Sequence, residues 1–496
     1  MLMLAPQPEE DAQASAKDVL LVLDRSGSME GEKFEQAQQA LVYILEHLNP
    51  EDRFFITVFS TGIETFASKL SPASDATEAV RWVQRMNAAG STDINRALLE
   101  TAAVVDPERP SYLIFLTDGL PTEGVVESAD ILQNFEREAS DSIRLFAFGV
   151  GYDVDTYLLD SLSQEHHGLS TYVQPGEPLD EVLSGFFTRI STPVLTNIEL
   201  DFGDASVFDV YPQPLPDLFA GVQVIITGRY RDGGETDITL TGQVNGEKQT
   251  FVFEDQRFSE DSRGDDAVTS GLPRLWATRK IGYLLSQIRL NGPDQETIDQ
   301  IIALSIRYGI VTEYTSYLVT EPAAMGAAEQ ENLARDAYQQ SLAAPETVTG
   351  QSAVEKADVE GQMAQADIAS SAPDSGTVKT VWSRTFVLSD GVWIDTAYDP
   401  DTMQTRKAGF LSDEYFTLAA SREGVAAALA LGERVILVVD GQAYEITETG
   451  ESDSNFTAPA TVQPSLPDQP NPDEILPTSQ SSESEPPHNP RAGMTG

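Results

Sequence analysis

Five short apolar runs, each followed by a stretch with helical periodicity, constrain residues 18–191 more than any other feature of the chain. The runs are Val19–Leu23, Phe54–Phe59, Tyr112–Thr117, Ile143–Val150 and Thr171–Val173. Continuous rather than alternating apolar character marks strands buried on both faces. After the first run, Phe34, Ala37, Leu41, Ile44, Leu45 and Leu48 recur at three-and-four spacing along one helix face, which Pro50 ends. Further helices are predicted at about 75–87, 94–105, 128–139, 155–163 and 178–190. Repeated strand–helix units of this size predict an α/β fold, a doubly wound and mainly parallel sheet with helices on both faces. Such sheets bind ligands outside the carboxyl ends of their strands, where the strand order reverses.

The chain has 496 residues, and single cores stop growing near ~250–300, so further domains are expected. Residues 5–17 are polar and Pro/Glu/Ala-rich; 1–17 read as a linker or the remnant of an upstream domain, and 18–191 as the α/β domain. Residues 192–320 carry β-rich runs separated by Gly and Pro turns, then two helical stretches joined at Asn291-Gly292-Pro293, and predict a β-sandwich with two helices. Asn245-Gly246 between two such runs is a hairpin signal. Residues 259–270 read as a charged loop and Thr312–Val319 as a β-prone end. Residues 321–376 are rich in Ala, Gln, Glu and Ser, a polar linker that is either a long helix or disordered. Residues 377–450 predict a small α+β domain with one apolar helix near 413–430, and the acidic, Pro-rich tail 451–496 predicts disorder.

Composition removes several function classes. The formal charge is −48, from 31 basic against 79 acidic residues. A polyanion of this kind is repelled by nucleic acid and anionic lipid. The charge serves solubility or a salty habitat, or else gathers divalent cations. There is no cysteine, so disulfides, thiolate catalysis and zinc–thiolate sites are excluded. Four histidines (His47, His166, His167, His488) are too scattered for a His-rich centre. No apolar run reaches the ~18 residues of a membrane span, and Met1–Pro6 is not a secretory signal as it stands.

The chemistry concentrates at Asp24. The first apolar run stops there, and Asp24, Ser26 and Ser28 then alternate along a loop at a strand's carboxyl end. Thr92, in Gly90-Ser91-Thr92-Asp93, sits on a second loop before a helix, and Asp118, in Thr117-Asp118-Gly119, ends the Tyr112–Thr117 strand. Together these are five hard oxygens from three loops. Two carboxylates roughly neutralise a divalent cation, and the neutral hydroxyls leave it electrophilic, with a position open to water or to a partner's carboxylate. Mg²⁺ suits this set, with Mn²⁺ or Ca²⁺ as alternatives.

On Asp24-Arg25-Ser26-Gly27-Ser28, Thr92 and Thr117-Asp118-Gly119, the sequence resembles the von Willebrand factor type A (VWA) domain, a Rossmann-like fold, with its metal-ion-dependent adhesion site. Pro273-Arg274-Leu275-Trp276-Ala277 and Tyr308 to Ser316 resemble segments that follow this domain in inter-alpha-trypsin inhibitor heavy chains and their bacterial relatives, so that the resemblance covers about residues 1–320. Asp390 to Thr396 resembles the tail domain of bacterial members. It does not match the glycosaminoglycan-esterified end of the animal chains, so that chemistry is not carried over. The resemblance implies a non-enzymatic adhesion or assembly module taking a partner protein's carboxylate on a bound Mg²⁺. It also implies that a β-rich VIT domain precedes Met1, with Met1–Ala5 as its last strand, and export to the cell envelope or beyond if a signal lies upstream, otherwise a cytoplasmic location.

Competing readings are a structural assembly protein whose metal only stabilises the fold, and a metal-dependent hydrolase, which would need a general base that the motif does not supply. Asp153-Val154-Asp155 lacks the Gly and Glu of a calcium loop and reads as a helix cap. His166-His167 reads as a loop before a strand, and Trp276 and Trp393 as core. Asn455-Phe456-Thr457 is a glycosylation sequon in the tail. No phosphate-binding Gly-Lys-Ser/Thr loop and no nucleophile elbow is present.

Overall fold

The computed structural model describes residues 1–5, 16–258, 271–315, 327–343, 347–368, 377–382, 384–448 and, in the tail, 452, 453, 456, 457 and 459. The linker 6–15, the charged loop 259–270, residues 316–319 of the β-prone end and the tail from 460 lie outside the described residues.

Five parallel strands form the heart of the first domain, in the spatial order Arg53–Phe59, Asp18–Asp24, Ser111–Thr117, Ile143–Val150, Ser170–Val173. All residues of Asp18–Asp24 are buried, as the unbroken apolar run requires of a central strand. Ile63–Thr65 and Ser71–Pro72 add short antiparallel edges to Arg53–Phe59, too brief to leave a periodic signal. Helices Glu32–Glu46, Ala76–Val83 and Leu179–Ile190 cover one face. Helices Ile94–Ala102, Ser128–Glu138 and Thr156–Glu165 cover the other. The chain leaves Asp18–Asp24 toward one neighbour and later returns on its other side, so the order reverses there. The resulting crevice lies outside Asp24 and Thr117.

A β-sandwich follows. One sheet is ordered Leu218–Phe219, Pro193–Asp201, Gly234–Val244, Glu247–Phe258; the other is Leu2–Leu4, Val224–Tyr230, Val207–Tyr211. They share a core of Leu4, Leu195, Ile198, Leu218, Val224, Ile226 and Leu240. Met1–Ala5, read as the last strand of an upstream domain, does contribute a strand, Leu2–Leu4, which here pairs with Val224–Ile226 of the sandwich. Asn245 and Gly246 have φ of 52° and 80° and close the hairpin between Gly234–Val244 and Glu247–Phe258, the geometry of a two-residue type I′ turn.

Helices Leu272–Asn291 and Gln295–Tyr308 pack with Trp276 in a third core. Residues 312–315 of the β-prone end form no strand. The region 321–376 contains helices Ala327–Ala343 and Gln351–Ala364. Its small residues serve close packing: a Cβ on Gly282 would lie 2.3 Å from the backbone nitrogen of Ala364. Val354 and Ala357 join the core beneath the α/β sheet. The C-terminal domain is a six-stranded mixed sheet with Trp393 in its core. The single helix expected near 413–430 is two, Asp413–Ala419 and Glu423–Leu429. The break lets the Ser421 hydroxyl bond back to the Leu418 carbonyl at 2.6 Å.

Candidate metal centre

The strand Asp18–Asp24 buries an aspartate at each end, and the two are treated differently. Asp18 receives Arg53 through paired bonds of 2.8 and 2.7 Å, with Arg109 at 3.5 Å. Asp24 is fully buried and makes no ion pair among the described residues. Its partners are neutral: the Ser26 backbone N–H donates to Oδ1 at 2.7 Å and the Thr117 hydroxyl to Oδ2 at 2.6 Å. Burial pushes the Asp24 carboxyl up to about 6, against these hydrogen bonds, and the nearby Asp118 carboxylate adds to the rise. A buried carboxylate with no counter-ion is costly unless a cation joins it.

From Asp24 the oxygens continue across the crevice. The Ser26 and Ser28 hydroxyls are 3.0 Å apart, and Ser28 donates to Asp118 Oδ1 at 2.7 Å. Oxygens around a cation bound at 2.0–2.1 Å in octahedral geometry are separated by about 2.9 Å along each edge. The separations here, 3.0 and 2.7 Å, are those of the hydrogen bonds themselves and are compatible with such an edge, and the donors are all hard oxygens. Only two are carboxylates, and no cluster of three or more His, Cys, Asp or Glu side chains suited to a metal occurs among the described residues.

Thr92 joins through its main chain. Its carbonyl accepts from Thr122 N at 2.9 Å and Glu123 N at 3.2 Å, and its N–H donates to the Thr122 hydroxyl at 3.0 Å. The neighbouring Gly90 carbonyl accepts from Gly27 N at 3.0 Å, so the loop of Thr92 is tied to both other loops. Gly90 has φ of 100°, and a Cβ there would lie 2.8 Å from the Thr61 hydroxyl. Glycine is what lets this loop turn and lie against Ser60 and Thr61. Asp93 turns away from the crevice and caps the next helix, accepting from Arg96 N at 3.1 Å.

Sequence reasoning did not identify Lys33. In the first turn of helix Glu32–Glu46, its ammonium donates to Asp118 Oδ2 at 2.8 Å with its side chain 43% exposed. This tethered cation sits against a carboxylate that a divalent ion would share, and the two positive charges oppose each other. Lys33→Met should bind Mg²⁺ about three- to tenfold more tightly, a modest gain because solvent screens the half-exposed ammonium. Competitive titration with a fluorescent Mg²⁺ chelator measures it; weaker binding in the variant would show that Lys33 supports the site.

The remaining candidates resolve as structural. Asp155 caps helix Thr156–Glu165, accepting from Leu158 N at 2.9 Å. His166 and His167 lie between that helix and strand Ser170–Val173, and His166 packs edge-on against Phe135. Trp276 is buried and donates to the Asp209 carbonyl at 3.0 Å.

The von Willebrand factor type A domain profile matches residues 18–182. Human inter-alpha-trypsin inhibitor heavy chain H2 is 30% identical over 329 residues, 62% of this chain and 34% of that protein. Human heavy chain H4 is 31% identical over 324 residues, 62% of this chain and 35% of that one. The chain thus spans about a third of the length of these relatives. Among solved structures, a von Willebrand factor type A protein from Catenulispora acidiphila aligns with 72% of this chain and 90% of its own, at 15% identity and a TM-score of 0.42. Residues 18–182 are a von Willebrand factor type A domain, in a chain related through 62% of its length to the inter-alpha-trypsin inhibitor heavy chains.

Proposed function

We propose that this chain is a divalent-metal-dependent protein-binding module for adhesion or assembly. Asp24, Ser26, Ser28, Thr92 and Asp118 would hold Mg²⁺, which when bound supplies an electrophilic position for a carboxylate of a partner protein. The observation that carries this reading is Asp24, a buried carboxylate without a counter-ion beside a chain of hard oxygens. The role of this chain's own residues is to orient: Thr117 and the Ser26 N–H fix the Asp24 carboxylate, while Ser28 and Lys33 fix that of Asp118. Both carboxylates are engaged in this way, which favours ligation over abstraction of a substrate proton and argues against hydrolysis. No helix among the described residues is long and apolar enough to cross a membrane.

Calorimetric titration of Mg²⁺ into wild type and Asp118→Asn tests the site. Saturable binding is expected in the first and not in the second; equal heats would overturn the assignment. Capture of Asp- and Glu-bearing peptides, assayed with Mg²⁺ and with EDTA, tests the use made of the metal. Capture that survives EDTA would favour a metal that only relieves the burial of Asp24.

A further inference from the structure

The strand Glu247–Phe258 is an open edge. It pairs with Gly234–Val244 on one side, and no described strand lies on its other side. None of its residues is buried, and Phe251, Val252 and Phe253 are 47%, 54% and 43% exposed. Edge strands are ordinarily blunted by charge, proline or a bulge. Here the bulge comes late, where the register shifts between Thr236 and Ile238 and Asp255 adopts φ of 55°. The run from Glu247 to Phe253 is regular. Phe251 lies opposite Leu240, a residue of the sandwich core. Phe251 and Phe253 therefore point to the core side of their sheet, yet remain exposed.

We propose that this edge pairs antiparallel with the same edge of a second copy, joining two four-stranded sheets into one of eight strands. The two-residue turn fixes which main-chain groups are free. In such a hairpin the residues flanking the turn exchange both bonds, so Glu247, Gln249, Phe251 and Phe253 bond to Gly234–Val244. Lys248, Thr250 and Val252 turn their N–H and C=O groups outward.

A two-fold axis through Phe251 places Thr250 opposite the partner's Val252, an outward pair that bonds across the axis. It places Phe251 on its own copy in a non-bonded pair, where side chains approach most closely and aromatic pairs contribute most. It also places Lys248 opposite the partner's Glu254, twice. Shifting the strands by two residues either way sets Lys248 against Val252 or Gln256 and loses both charge pairs. The bulge at Asp255 ends the ladder just past Glu254. The same register brings Glu247 toward the partner's Asp255, but Asp255 lies in the bulge beyond the ladder, so the charge pairs within the ladder itself are the two of Lys248 with Glu254.

Sedimentation velocity across a concentration series, in EDTA so that any metal-mediated association is absent, provides the test. Wild type is expected to show a reversible monomer–dimer equilibrium. Val252→Pro removes an outward N–H that the chain's own ladder does not use, as edge strands tolerate, and should be monomeric with an unchanged circular dichroism spectrum. Lys248→Glu should weaken the dimer about tenfold through two reversed pairs, and the swap Lys248→Glu with Glu254→Lys should restore it. A monomeric wild type, an undiminished dimer in Val252→Pro, or no rescue by the swap would each overturn the proposal.

Discussion

Asp24→Asn should stabilise the metal-free protein at neutral pH while abolishing its response to Mg²⁺. The folded-state carboxyl of Asp24 sits at about 6 because it is buried, whereas an unfolded aspartate titrates near 3.9. Between those values the folded state holds a proton that the unfolded state has released, so stability falls as pH rises through this window. Above about pH 6 the penalty is constant at roughly 3 kcal/mol, two pH units at 1.36 kcal/mol each. Asparagine removes the charge and keeps the contacts. Its Oδ1 can still accept from the Ser26 N–H, and its Nδ2 can donate to the Thr117 hydroxyl, which then rotates. The variant should melt several degrees higher than wild type in EDTA at pH 7.5, and the two should converge below about pH 3, where Asp24 is protonated in both folded and unfolded chains. Millimolar Mg²⁺ should raise the wild-type melting temperature and leave the variant unchanged. A variant that melts lower in EDTA, or that still responds to Mg²⁺, would show that Asp24 is not the uncompensated charge.

This inverted behaviour separates the two ends of one strand. Asp18 and Asp24 occupy equally buried positions, but the first faces Arg53 and Arg109 and the second faces hydroxyls. Asp18 is compensated within the chain; Asp24 has no cationic partner among the described residues. Lys33 refines the contrast, because it serves Asp118 rather than Asp24, and so leaves the deepest charge exposed to a cation.

How much of this was legible follows from the kind of signal each feature leaves. Long, doubly buried strands such as Asp18–Asp24 and Ser111–Thr117 write continuous apolar runs into the sequence, and side chains at their carboxyl ends can be assigned to one crevice. Ile63–Thr65, Ser71–Pro72 and Leu218–Phe219 are too short for any period. Leu2–Leu4 pairs with a strand more than two hundred residues away in sequence, a contact that local pattern does not encode. The helix Gln351–Ala364 escaped firm assignment because it packs through Ala353, Val354 and Ala357, and small residues look polar-averaged in a hydropathy pattern. Among the candidate site residues, Asp24, Ser26, Ser28 and Asp118 were singled out by alternation and strand-end position, and hydrogen bonds link these four in one chain, while Thr92 reaches the neighbouring loops through its main chain. Thr117 as the orienting donor and Lys33 as the tethered cation were not found. A hydroxyl that serves a carboxylate ninety-three residues away, or a lysine in a solvent-facing first turn, has no sequence signature of its own.

Arg289→Ala should cost about 3 kcal/mol, because it removes the main counter-charge of two buried carboxylates and leaves Glu360 with Lys356 at 3.9 Å and Asp160 with the Ser170 hydroxyl. Arg289, on helix Leu272–Asn291, pairs with Asp160 on helix Thr156–Glu165 of the VWA domain and, at 2.8 Å, with Glu360 on helix Gln351–Ala364. Its side chain is 7% exposed, and those of Asp160 and Glu360 are 12% and 3% exposed. Burial works against the guanidinium's charge, but the two carboxylates more than offset it and hold Arg289 above its ordinary range. With the arginine gone, Asp160 and Glu360 repel each other in a medium that hydrates neither well. The deficit is one of charge, so it should shrink at acid pH, where carboxylates take up protons. Urea denaturation at pH 7.5 and pH 4.5 measures both the loss and its pH dependence. The triple variant Arg289→Met, Asp160→Asn, Glu360→Gln should recover most of the stability, since neutral groups of similar size lack the charge that the single variant abandons. These helices also meet through Val354 and Ala357, which enter the VWA core, and through the close approach at Gly282; if the ion cluster is what couples them, the single variant should also split the melting curve, with the VWA domain unfolding apart from the helices. A single cooperative transition within 1 kcal/mol of wild type would show that apolar packing, not the ion cluster, fixes the VWA domain to the rest of the chain.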